Sequence, residues 1–288
     1  MRPWPVQGRF RMLGIMVIHR VLRPLALSAV VCLVGGGCVI GGSSRPERTT
    51  FPTLPPTPPV SLAPSAAAPL LPDLAYEPMV EFFATQDAEG ARAIRFTGSI
   101  KNIGAGPLII HAERPSADTD AWTVTQRFAD GAGGLVEAPT EATLVYGGHG
   151  HDHWHVYAET SYELYDLESG KLASRRKAGF CYFDQVRVPD AGPLSPEQMV
   201  YRPERCGKPG DVWIEMGMSV GWSDQYHWSL EDQDLYITGL PDGRYRIVGI
   251  ADPDGWFTEL DETNNSTEAI IELKTDADGF PTIALVAG

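Results

Sequence analysis

From Leu74 onward the apolar residues fall in short runs, and no run sustains the 3.6-residue period of a helix. The spacing predicts strands over Met79–Ala84, Ile94–Ile103, Pro107–His111, Ala121–Phe128, Val156–Asp166, Val212–Val220, Leu235–Gly239, Tyr245–Ala251 and Ala269–Lys274. Turn residues separate them at Asp87–Gly90, 102–106, 241–243, 252–255 and 276–279. Many short strands with such punctuation predict an all-β, sandwich-like domain with irregular loops. Asp252-Pro253-Asp254-Gly255 and Asp276-Ala277-Asp278-Gly279 look like calcium loops at first sight. Neither has the full ligand spacing, so both are read as turns.

The N-terminal quarter follows different rules. Residues 1–38 read as an export signal, with His19, Arg20 and Arg23 ahead of the apolar run Leu25–Val34. The run is too short to span a bilayer. It ends in Val34-Gly35-Gly36-Gly37-Cys38, which resembles a lipobox although Gly35 stands where such boxes prefer a larger apolar residue. Lipidation at Cys38 is the expectation, and the lipid is then the only contact with a membrane. Residues 39–72 carry proline every few positions, which predicts a disordered, extended spacer. Residues 73–288 form the folded domain, long enough for one well-buried core.

The formal net charge is −14. Phosphate binding needs a basic patch, so a nucleic-acid partner is not expected. Of the four cysteines, Cys181 and Cys206 alone lie in the domain. In an exported protein the pair is read as a disulfide.

Four of the seven histidines occupy Gly148-His149-Gly150-His151-Asp152-His153-Trp154-His155. In an extended strand, residues two apart share a face, so His151, His153 and His155 form one row that His149 continues. Imidazole suits copper, zinc, iron and nickel alike, and the row by itself does not choose among them. The glycines before His151 permit the bend that would bring the row onto one ion.

The segment His151-Asp152-His153-Trp154-His155, followed by Tyr165-Asp166-Leu167, resembles the copper motif of the lysyl oxidase family. Lys177-Ala178-Gly179-Phe180-Cys181 is similar to the stretch around that family's cofactor lysine. Gly221-Trp222-Ser223-Asp224-Gln225-Tyr226 is similar to the stretch around its cofactor tyrosine. Leu240–Tyr245 and Asp261-Glu262-Thr263-Asn264-Asn265 resemble its final strands and turn. The order matches over Leu74 to Lys274.

The resemblance implies a copper-dependent amine oxidase with a lysine tyrosylquinone cofactor. Tyr226 would be the quinone precursor and Lys177 the cross-linking partner. Copper would sit on His151, His153 and His155, with His149 auxiliary. A primary amine, free or as peptidyl lysine, would become an aldehyde, and O2 would be consumed with release of ammonia and hydrogen peroxide. Asp224, two residues before Tyr226, is the candidate base for the proton on the substrate carbon. The copper row and residues 221–226 must then meet in space. Two departures stand out: Tyr162 occupies a position where animal members carry histidine, and only one disulfide is possible. The competing reading is a non-enzymatic copper-binding β-sandwich at the cell surface, which has no use for the Lys177 and Tyr226 pair.

Overall fold

The computed structural model describes residues 68–147, 152–189, 191–230 and 232–287. These residues form antiparallel strands and one 3-10 turn, Pro203–Cys206, with no α-helix among them. The all-β reading holds. The leader, Cys38, His149 and His151 lie outside the described residues.

The described residues form three sheets. The first runs Pro69–Leu70, Thr123–Asp130, Leu108–Glu113, Trp213–Met218, with Leu135–Pro139 also paired to Thr123–Asp130. The second runs Leu172–Phe180, His153–Asp166, Gly243–Ala251, Ser266–Thr275, Pro281–Ala287, and Leu144–Gly147 joins it beside His153–Asp166. The third is centred on Arg92–Asn102, which pairs with Trp222–Tyr226, Asp234–Tyr236, Leu74–Tyr76 and Val80–Gln86. Val186–Arg187 extends it past Trp222–Tyr226.

Along Gly243–Ala251 the buried residues alternate, as a strand with one face on a core requires. His153–Asp166 is different. Pairing with three neighbours buries most of its length, and Trp154, Val156, Tyr162 and Leu164 all enter the core. Phe96 stacks edge-on against Tyr162 there, with ring centroids 4.8 Å apart.

The folded part begins earlier than the sequence boundary at 73. Pro69 and Leu70 pair with Asp130 and Ala129, and Leu71 accepts hydrogen bonds from Ala105 N and Gly106 N. Proline at 69 is compatible with this because the strand lies at the sheet edge and is two residues long. Both supposed calcium loops are turns closed by their own aspartates. Asp252 accepts from the backbone of Trp256 and Phe257, and Asp276 from that of Asp278 and Phe280.

The irregular stretch between Phe180 and Trp213 is held by two devices. Cys181 and Cys206 are joined, with Cα atoms 5.8 Å apart. Asp184, fully buried, accepts from the backbone of Val200, Tyr201 and Ser219 and from the Ser219 hydroxyl. A carboxylate so saturated is a structural staple.

Candidate active site

Within the second sheet the histidine strand is bulged. Ala178 pairs with Thr160 but Phe180 pairs with Val156, so two extra residues of the histidine strand are accommodated between those pairs. Ala158 takes a φ of 53° in this bulge. A Cβ on Gly179 would lie 2.6 Å from Val156 O, so only glycine allows the two strands to approach here. Such a bulge re-aims the side chains beside it. It falls between His155 and Glu159.

His153 and His155 share a face, and their Nε2 atoms are 2.9 Å apart. The same-face expectation holds for these two. Two imidazole nitrogens bound at right angles to one ion, each at about 2.0–2.1 Å as in zinc sites, would be separated by about 2.9 Å. That separation is a hydrogen bond between the two rings, and it is also one that a square-planar ion such as copper(II), but not a tetrahedral one, spans. Among the described residues no group of three histidine, cysteine or carboxylate side chains is arranged to hold a metal, and His151 and His149 are not among them.

Trp154, between the two histidines, points the other way and anchors the strand. Its indole N–H donates to Lys208 O at 3.0 Å. The Arg114 guanidinium lies against both the Trp122 and Trp154 rings, 4.6 and 4.7 Å from their centroids. It donates to the carbonyls of Asp211, Thr119 and Pro209. A buried cation held by two indoles and three carbonyls fixes the face opposite the histidines.

On the third sheet, Asp224 and Tyr226 are two apart and so share a face. Both are buried. The Tyr226 hydroxyl is 3.0 Å from Asp224 Oδ2 and 3.0 Å from Glu159 Oε1. The Phe180 ring stacks on Tyr226 with centroids 3.9 Å apart, and the His155 ring centroid is 6.2 Å from that of Phe180. His153, His155, Phe180, Asp224 and Tyr226 line one cavity of about 190 Å³, closed on another side by Pro203 and Cys206. His153 and His155 thus share a cavity with residues 224–226. A larger cleft of about 510 Å³, beside Trp213, contains none of these residues.

Burial dominates the electrostatics. It pushes the Asp224 carboxyl well above the usual carboxylate range, and the nearby Glu159 carboxyl adds to this. Burial raises Glu159 to about 8, against the Tyr226 hydrogen bond and the nearby Tyr182 hydroxyl, which pull it down. The Tyr226 phenol is raised well above its ordinary value, first by burial and then by Asp224 and Glu159.

Lys177 is elsewhere. It pairs with Ser161, and its ammonium binds both oxygens of Asp254 at 2.8 and 2.6 Å. It does not line the cavity. The expected meeting of Lys177 with Tyr226 is therefore not made in this structure. Glu159 is the residue that sequence reasoning missed. A lone acid within a strand reads as a solvent-facing side chain, and no motif marks it. Tyr162 is fully buried, donating to Gln233 Oε1 and accepting from Tyr76, and belongs to the core.

Residues 139–278 match the lysyl oxidase family model. Lysyl oxidase homolog 2 of Bos taurus is 29% identical over 130 residues, covering 45% of this chain and 15% of the relative. Lysyl oxidase homolog 3B of Danio rerio is 26% identical over 175 residues, 61% of this chain and 17% of the relative. Lysyl oxidase homolog 2 of Gallus gallus is 30% identical over 116 residues, 40% of this chain and 13% of the relative. The chain spans less than a fifth of the length of these curated relatives. The match begins before the histidine strand and ends in the turn after Ser266–Thr275, taking in every predicted site residue of the domain.

Proposed function

We propose, from the chain's membership of the lysyl oxidase family over residues 139–278, that it is a copper-dependent amine oxidase acting on primary amines, peptidyl lysine among them. The observation that supports this most is the shared cavity: two histidines from one strand and a buried tyrosine and a buried aspartate from another converge there. His153 and His155, with His151 and His149, are the residues to hold copper. Tyr226 and Lys177 are the residues to form lysine tyrosylquinone. That cofactor, when formed, supplies the carbonyl electrophile and electron sink that no ordinary side chain offers.

The chain's own residues have three tasks. Phe180, stacked on Tyr226, keeps the ring in one plane and lines the cavity with apolar surface. Asp224 reaches the cavity, and its Oδ1 is buried without a hydrogen-bond partner. Burial makes this carboxyl hold its own proton tightly, so it serves as the base for the substrate carbon only once that proton has left. Lys177 must leave Asp254 before its amine can join Tyr226.

The export signal and Cys38 support a location outside the cytoplasm, on a lipid tether. The decisive experiment is to load copper into the purified protein in air, digest it and seek one cross-linked peptide pair containing Lys177 and Tyr226. A quinone redox stain should be positive, and a primary amine should yield peroxide. An unmodified Tyr226 after copper loading would overturn the reading.

A further inference from the structure

We infer that Glu159 is the proton acceptor for the Tyr226 phenol during conversion of that ring, an assignment that rests on the amine oxidase reading above. Three observations converge on it.

The first is placement. Glu159 is 1% exposed on the strand His153–Asp166, and its Oε1 is 3.0 Å from the Tyr226 hydroxyl. Among the described residues, the side chains coupled to it are the phenols of Tyr226, Tyr182, Tyr76 and Tyr162 and the carboxyls of Asp224 and Asp252, none of them a cation. A buried carboxyl without a cation is costly, and an apolar side chain would serve packing better.

The second is proton counting. The phenol has one proton and can donate to one oxygen. Two carboxyl oxygens stand 3.0 Å away. If both were ionised, one contact would be oxygen against oxygen with no proton between. The three groups are satisfied when they share two protons, so a proton can pass along the row without any heavy atom moving.

The third is a division of access. Asp224 lines the cavity and Glu159 does not. Asp224 forms part of the cavity wall, whereas Glu159 reaches the same phenol oxygen without contributing to that wall. Glu159 Oε2 and the Tyr182 hydroxyl are both buried without a completed hydrogen bond, and each is close enough to bias the other's ionisation. Tyr182 can steady the carboxyl in either state.

The step is a simple transfer. The Tyr226 O–H bond breaks, the proton forms a bond to Glu159 Oε1, and the negative charge moves from the carboxylate to the phenolate. No electron is gained or lost. The phenolate ring is the electron-rich form that the copper and O2 of the proposed function can oxidise.

The test follows conversion, not turnover. Copper is added in air to the metal-free protein, and the modified fraction of the Tyr226 peptide is followed by mass spectrometry at several pH values. Wild type is expected to convert faster as pH rises toward about 8, where Glu159 ionises. The titratable groups facing Glu159 across its neighbours are Tyr226, Asp224, Tyr182, Asp252, Tyr76 and Tyr162. Glu159→Gln should bind copper with unchanged stoichiometry yet convert Tyr226 about 100-fold more slowly, without that rise. Conversion at the wild-type rate with the wild-type pH profile overturns the assignment. If the glutamine variant does not accumulate, Glu159→Asp decides: slowed conversion that still rises with pH supports it, and an unchanged rate overturns it. A wild-type protein that takes up copper but never modifies Tyr226 overturns the amine oxidase reading itself.

Discussion

Phe180 lies face to face on Tyr226, with ring centroids 3.9 Å apart and planes inclined by 19°. It is also the residue before Cys181, which the disulfide ties to Cys206. One aromatic ring therefore connects the strand of the predicted lysine to the ring of the predicted quinone. Phe180→Ala should cost about 3–5 kcal/mol, since the void it leaves is bounded by a disulfide and two strands that cannot collapse. Denaturant unfolding of the metal-free protein measures this. A loss below about 1 kcal/mol would show that the stack does not hold the site.

Copper uptake should separate ligands from the ring. His153→Ala and His155→Ala should each weaken copper binding at least about tenfold, because each removes one nitrogen of the pair. Tyr226→Phe should leave copper affinity within about twofold. Calorimetric titration of metal-free protein reads both. Equal weakening in all three variants would mean the histidine pair is not the metal anchor.

Breaking the disulfide should loosen one wall of the cavity. Cys206→Ser opens a loop with a sequence separation of 25 residues, for which chain entropy suggests a loss of about 3 kcal/mol. The melting temperature should fall in the variant, and reductant should lower the wild type to match it. Free-thiol counting on denatured, unreduced wild type should find neither cysteine.

Stability should fall as pH rises from weakly acidic to weakly basic. Glu259 is buried, accepts from Leu74 N and from Asn265, and burial raises its carboxyl to about 8. The folded state holds that proton above the pH at which the unfolded chain has lost it. The resulting stability is complete below the unfolded value of 4.5 and is lost as pH climbs through about 8, by about 1.4 kcal/mol per pH unit. Glu259→Gln should flatten this slope even if it lowers stability throughout. Urea unfolding across that pH range would show parallel curves for the two proteins if the prediction is wrong.

Much of this was written in the sequence. The lack of a helical period and the spacing of turns specified an all-β domain, because both are local properties. The same-face placement of His153 and His155 followed from the two-residue repeat of a strand. Two site strands were nevertheless missed: Leu172–Phe180 and Trp222–Tyr226. Neither has a strong apolar alternation of its own. Arg175-Arg176-Lys177 and Ser223-Asp224-Gln225 become strand because His153–Asp166 and Arg92–Asn102 offer them distant backbone partners. The role of Glu159 belonged wholly to the tertiary structure. The bulge at Ala158 and the close approach of Gly179 set its direction, and a strand 67 residues away in sequence brings Tyr226 to it. Lys177 is the reverse case: its motif was plain, but which carboxylate holds it was decided by the turn carrying Asp254. Periodicity tells which residues share a face, and only the pairing of distant strands decides what that face meets.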